Sequence, residues 1–192
     1  MTPCPPLLWE GKSSKLELGF HDYYDEDGRS LRKTFLRAPL DFTRISSRYS
    51  GRRFHPVQKR WKAHLGTDYA APTGTPIMTT ADGVVIAAKY TSANGNYVKV
   101  RHNGTYTTQY LHMSKIRPGV KNGLHVKQGD VIGYVGSTGL ATGPHVCYRF
   151  WVNGKQVDPY RQKLPDAEPL TQERMSVYKA YMKELKTRLD AI

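Results

Sequence analysis

The chain is short of acidic side chains, of cysteine and of long apolar runs. Its 192 residues hold 16 Asp and Glu against 29 Lys and Arg, a formal net charge of +13. Such a surface should attract a polyanion, with nucleic acid, anionic lipid and bacterial wall polymer all eligible. Yet no zinc-finger spacing, helix-turn-helix signature or RNA-recognition aromatic motif accompanies the charge, so nucleic acid is not the expected partner. Two cysteines, Cys4 and Cys147, are too few for a disulfide scaffold and are not expected to bond to each other. Nowhere do eighteen apolar residues run together, and the opening MTPCPPLLWE has neither a basic n-region nor a long apolar h-region. The chain is therefore expected neither to span a membrane nor to show a secretory signal. With 39% hydrophobic residues and 17 glycines, wholesale disorder and collagen-like order are excluded. The length suits one domain with an appendage.

Three stretches differ in texture. Over 1–42, a polar prelude alternates Leu16, Leu18 and Phe20 with Glu17 and Gly19, which predicts a strand, and the acidic run Asp22 to Asp27 before Gly28 predicts the turn of a hairpin. A basic and aromatic strap follows over 31–56 (Arg32, Lys33, Phe35, Arg37, Arg48, Arg52, Arg53, Phe54), ending at His55-Pro56, where proline disfavours helix. The main domain is expected over 43–164. Its turn signals recur at Asp82-Gly83, Asn94-Gly95, Asn103-Gly104, Asn122-Gly123, Gly129-Asp130 and Asn153-Gly154, which predicts a mainly β fold, a compact antiparallel sheet. The strands should be Gly83 to Ala88, Tyr97 to His102, Thr105 to Leu111, Val131 to Val135 and His145 to Val152. Over 165–192, Met175, Tyr178, Met182, Leu185 and Leu189 recur at helical spacing after Pro165 and Pro169, which predicts a C-terminal amphipathic helix over Thr171 to Leu189. Its apolar stripe reads as a packing face.

Three short strings can carry chemistry: His64-Leu65-Gly66-Thr67-Asp68, Tyr110-Leu111-His112 and Gly143-Pro144-His145-Val146-Cys147. In a strand, residues two apart share a face, so His145, Cys147 and Arg149 point one way while Val146, Tyr148 and Phe150 enter the apolar layer. A straight strand would hold His64 and Asp68 about 13 Å apart, too far to share an ion. The chain must bend between them, most cheaply at Gly66. If it does, and the sheet brings Cys147 alongside, an imidazole, a carboxylate and a thiolate form a zinc ligand set with a vacant fourth position. Each string has a blander reading: a turn hydrogen bond for His64 and Asp68, a small buried hydrophobe for Cys147, a satisfied sheet-face residue for His112.

At these residues the sequence resembles the lysostaphin/LytM-type zinc metallopeptidases, the Duplicated hybrid motif family, over roughly 43–160. His64-x-x-x-Asp68 followed by Ala71-Pro72-x-Gly74-Thr75-Pro76 looks like the family's first metal motif, Tyr110-Leu111-His112 like its central histidine segment, and Gln128-Gly129-x-x-Ile132-Gly133 running into Gly143-Pro144-His145 like the approach to its last motif. The resemblance implies a mostly antiparallel β domain crossed by a substrate groove. It implies hydrolysis of peptide cross-links in peptidoglycan by Zn2+, with His64 and Asp68 as ligands and His112 and His145 as unligated catalytic histidines. It also implies work in the periplasm or outside the cell, at the cell envelope.

One departure matters. The family's last motif ordinarily reads His-x-His, its second histidine being the third ligand, and Cys147 stands in that place; Arg149 stands where an acidic residue is usual. This is read as a lineage variant in which Cys147 is the third ligand. Thiolate and carboxylate together would formally neutralise the divalent ion, so its bound water should be less acidic than in a two-histidine site. An accessible sulfur would also be open to oxidation. Two functions of different class follow: a zinc endopeptidase on peptidoglycan, or a non-catalytic relative that binds wall or activates a wall-hydrolase partner. Four polar groups converging on one groove favour the enzyme.

Overall fold

Apolar and polar residues alternate along His145–Val152, and this strand lies at the heart of the main sheet. The computed structural model describes residues 7–9, 22–24, 27, 34–41, 44–55, 59–164 and 169–190, which fall into two compact units.

The larger unit, Phe35–Lys163, contains β3 (Arg44–Ser47), β4 (Ser50–His55), β5 (Arg60–His64), β6 (Thr67–Ala70), β7 (Pro76–Met78), β8 (Gly83–Thr91), β9 (Gly95–Arg101), β10 (Tyr106–Met113), β11 (Lys115–Ile116), β12 (His125–Val126), β13 (Val131–Tyr134), β14 (His145–Val152) and β15 (Lys155–Val157). The main sheet runs β12-β8-β9-β10-β14-β6-β3, with β15 also on β14. Its pairings are antiparallel, as the Asn-Gly and Asp-Gly turns require. A second sheet orders β11-β13-β7, and β4 pairs β5 as a separate hairpin. The expected mainly β, antiparallel fold is thus observed. All five expected strands exist, the one at His145–Val152 with its predicted limits.

The period-two pattern sets what is buried. Val146, Tyr148 and Phe150 of β14 lie at or below 2% exposure, with Val85, Val98, Val100 and Tyr110 beside them. The buried hydroxyls around Tyr110 and Tyr148 do not break this core, because they satisfy one another. Thr80 Oγ1 lies 3.0 Å from Tyr110 Oη and 2.9 Å from Tyr148 Oη, and Thr108 donates to Tyr110 Oη at 2.9 Å. A closed network of this kind fixes the sheet's register without a stranded polar group.

The smaller unit holds β1 (Leu7–Trp9), β2 (Asp22–Tyr24) and α1 (Gln172–Leu189). β1 and β2 pair antiparallel, Leu7 opposite Tyr24. The structure corrects the expected turn: Asp22–Tyr24 is a strand paired with Leu7–Trp9, since Tyr23 and Tyr24 suit the pleated ladder, and Asp27, a turn residue, follows it. The strand expected at Leu16 to Phe20 falls outside the described residues, as does Cys4. α1 begins one residue later than predicted, with Thr171 as its N-cap, Glu173 in its first turn and Lys186 and Arg188 in its last, each charge favourable to the helix dipole. Tyr178 is buried, and Met175 and Met182 are half-buried. Leu185 and Leu189 fall outside the described side chains.

Candidate metal centre and groove

β5 ends at His64 and β6 begins at Thr67, so the break needed between His64 and Asp68 falls on Leu65-Gly66. Across it His64 Nε2 and Asp68 Oδ1 come within 3.0 Å. Gly66 is needed for space rather than for an unusual dihedral. A Cβ there would stand 2.9 Å from Cys147 Sγ and 3.0 Å from the Tyr148 carbonyl oxygen. β14 lies beside β6 with Cys147 directly opposite Asp68, and Cys147 Sγ is 3.6 Å from His64 Nε2. Nitrogen, carboxylate oxygen and sulfur all lie within 4.8 Å of one another. The three residues are 8%, 7% and 2% exposed.

Hydrogen bonding sets which ring nitrogen faces the cluster. His64 Nδ1 lies 3.1 Å from the Arg48 carbonyl oxygen. A carbonyl can only accept, so Nδ1 carries a hydrogen and Nε2 is the nitrogen that faces Asp68 and Cys147. Burial alone would raise the Asp68 carboxyl, but the hydrogen bond and charge of His64, then His145 and the Cys147 contact, hold it below its ordinary value. Burial, with the Asp68 charge beside it, pushes the Cys147 thiol far up. An imidazole nitrogen, a carboxylate and a thiol reluctant to ionise therefore face one another in a buried space, an arrangement that a cation would satisfy in place of their protons. Imidazole, carboxylate and thiolate, with the outer imidazole nitrogen held by a carbonyl, suit zinc. The same burial corrects one expectation: at 2% exposure the sulfur is not accessible to ready oxidation.

The two remaining histidines share the groove. His112 sits at an irregularity in the β9–β10 ladder between Tyr110 and Met113, with φ of +64°. Strained left-handed backbone on a non-glycine residue re-aims a side chain and concentrates at functional sites. Its amide donates to the Asn94 carbonyl at 2.9 Å and its Nδ1–H to the Thr138 carbonyl at 2.8 Å, leaving Nε2 bare. Burial, aided by the neighbouring His145, pushes its pKa down to about 4 despite the Thr138 bond. His145 donates Nδ1–H to Gly143 at 2.8 Å, lies 4.8 Å from the His112 ring and brings Nε2 within 3.8 Å of Asp68 Oδ1.

All five anticipated residues line one cavity of about 260 Å³, together with Arg53, Lys62 and Arg149. Arg53 reaches Asp68 Oδ2 at 3.5 Å. Its place at the site was not foreseen, because it lies in the basic strap with no motif around it. Nor were the Arg48, Thr138 and Gly143 carbonyls that orient the three imidazoles, since backbone acceptors leave no trace in side-chain identity.

A family model described as Peptidase family M23 matches residues 62–159. The peptidoglycan DD-endopeptidase ShyC of Vibrio cholerae is 49% identical over 169 residues, 88% of this chain and 39% of that protein. Among solved structures, a zinc containing peptidase from Vibrio cholerae aligns with a TM-score of 0.64 at 41% identity, covering 76% of this chain and 45% of that one. The catalytic domain of lysostaphin from Staphylococcus simulans aligns with a TM-score of 0.55 at 29% identity, covering 62% of this chain and 90% of that one. This chain thus spans about two fifths of the length of ShyC.

Proposed function

Because the chain belongs to peptidase family M23, we propose that it is a zinc-dependent endopeptidase that hydrolyses peptide cross-links of bacterial peptidoglycan, with the DD specificity named for its relative ShyC. The observation that carries this reading is the convergence of His64, Asp68 and Cys147 within 4.8 Å at a cavity that His112 and His145 also line. His64 through Nε2, Asp68 through its carboxylate and Cys147 through Sγ would hold the zinc. When bound with an open coordination position, zinc supplies an acidified water and polarises the scissile carbonyl.

The chain's own residues handle the protons. His112, held neutral by burial and bare at Nε2, accepts the proton of the attacking water. His145 in its protonated form is supported by Asp68 at 3.8 Å and donates to the leaving amine. The fixed Nδ1 bonds keep both rings from rotating out of these roles. The basic surface raises the local concentration of anionic wall. A peptidoglycan substrate places the enzyme in the envelope, outside the cytoplasmic membrane; among the described residues no helix is long and apolar enough to cross a membrane. The non-catalytic alternative, with a wall-hydrolase partner, rested on Cys147 alone. The position of that sulfur, 3.6 Å from His64 Nε2, supports the enzyme instead.

The test is elemental analysis of protein purified without added metal, followed by digestion of cross-linked peptidoglycan with and without chelator. Near-stoichiometric zinc and chelator-sensitive cleavage of cross-links are expected. Metal-free protein that cleaves nothing but stimulates another wall hydrolase would contradict the reading.

A further inference from the structure

One wall of the groove is cationic beyond what the ligand cluster needs. Arg53 and Lys62 lie directly opposite each other across β4 and β5, and both line the cavity with Arg149. Like charges in register on facing strands repel and destabilise a hairpin. Nε of Arg53 and Nε of Arg149 are, moreover, buried without a hydrogen-bond partner, a costly state for a guanidinium donor. Against these three cations the described lining offers only Asp68 and the Cys147 thiol as acids. With those two committed to a metal ion, no described residue of the cavity balances the positive charge.

We propose that Arg53, Lys62 and Arg149 form a carboxylate-binding subsite, which takes a free carboxylate of the substrate peptide next to the bond being cut. The inference rests on the endopeptidase reading and adds to it which part of the substrate is recognised. A planar carboxylate matches the fork of an arginine, giving short, charge-assisted hydrogen bonds, and Lys62 contributes a point charge from the rim. Arg53 holds the Asp68 carboxylate through one terminal nitrogen at 3.5 Å, and its side chain, 30% exposed, offers the rest of its fork to the ligand. A carboxylate seated there relieves the Arg53–Lys62 repulsion, so the groove that is strained when empty becomes satisfied when filled. The subsite selects among peptides by charge beside the reacting bond, whereas the diffuse surface charge selects nothing beyond polyanions.

The experiment measures equilibrium binding of a cross-linked muropeptide to the zinc-loaded full chain by calorimetry, in a His112→Asn background that separates recognition from turnover. The probe is used once with free carboxylates and once with those carboxylates amidated. The free form is expected to bind roughly tenfold more tightly, the weight of about one charge-assisted hydrogen bond. Lys62→Gln, at an exposed position that folding does not need, should lose most of that difference while binding the amidated peptide as before. Arg149→Lys should keep part of it and Arg149→Gln none. Equal affinity for the two peptides, no binding of either, or a Lys62→Gln protein that keeps the full preference would each overturn the subsite. Bis(glycerol) phosphate, a phosphodiester with one negative charge like acetate, competing more strongly than acetate would assign the same cations to a wall phosphodiester, overturning the peptide assignment. Carboxylate-selective binding without zinc-dependent cleavage would sink the endopeptidase reading alone. Cleavage without selectivity would sink the subsite alone.

Discussion

Gly66→Ala changes no ligand, yet it should damage the candidate metal centre. The new methyl would stand 2.9 Å from Cys147 Sγ, 3.0 Å from Arg149 Cγ and 3.0 Å from the Tyr148 carbonyl oxygen. The carbonyl belongs to β14, paired on both sides by β10 and β6, and cannot move without pulling two ladders. The sulfur must give instead, by about 0.5 Å or more to reach ordinary contact distance, which carries it away from His64 Nε2. Overpacking of this sort costs about 1–3 kcal/mol, a fall of roughly 4–12 °C in Tm for a unit of this size. Displacing one of the proposed ligands should also weaken zinc binding about 10–100-fold, the scale of outer-sphere substitutions. Thermal melts and competition with a zinc chelator read the two effects, and Gly143→Ala, with nothing within 4 Å of its added methyl, is the matched control. If Gly66→Ala melts like the parent and holds zinc as tightly, the close approach of Gly66 to Cys147 is not what shapes the centre.

Cys147→Ala should lose stoichiometric zinc on elemental analysis, whereas Cys147→His should retain it and, by restoring net charge to the ion, shift the activity profile to lower pH; an unmoved profile would count against the thiolate's influence. Burial lowers His112 from its ordinary 6.5 to about 4 in the fold, so the unfolded chain takes up this proton first as pH falls. The associated stability, about 3 kcal/mol, is present above pH 6.5 and lost as pH drops towards 4. Denaturation of chelator-treated protein should therefore show the parent losing stability over that window relative to His112→Asn, a residue that tolerates left-handed backbone, and parallel curves would refute it. Finally, the Cys147 thiol, 2% exposed and far from ionising, should resist a thiol reagent in the native metal-free protein and react once denatured. Immediate stoichiometric modification of the native protein would show the groove floor to be open.

Periodicity made the central strands legible. Between Val146 and Phe150 the apolar alternation admits only one face for the core, and the opposite face then carries His145, Cys147 and Arg149 together, a grouping that alternation alone dictates. The short strands were not legible: Thr67–Ala70 and Pro76–Met78 are too brief for a period to show. Asp22–Tyr24 misled because an acidic run resembles a turn, while its two tyrosines decide the ladder. At the site, the bend at Gly66 was readable from distance alone, but its cause was not. The glycine answers to the sulfur of Cys147, far along the chain, a constraint that exists only after β6 and β14 pair. The left-handed conformation of His112 is equally a product of the ladder around it.

The most direct test of the account is X-ray absorption at the zinc edge of the reconstituted protein. One sulfur at about 2.3 Å with nitrogen and oxygen at about 2.0–2.1 Å is predicted, the sulfur shell vanishing in Cys147→His while zinc remains bound. A shell of light atoms only, identical in parent and variant, would contradict a centre built from His64, Asp68 and Cys147.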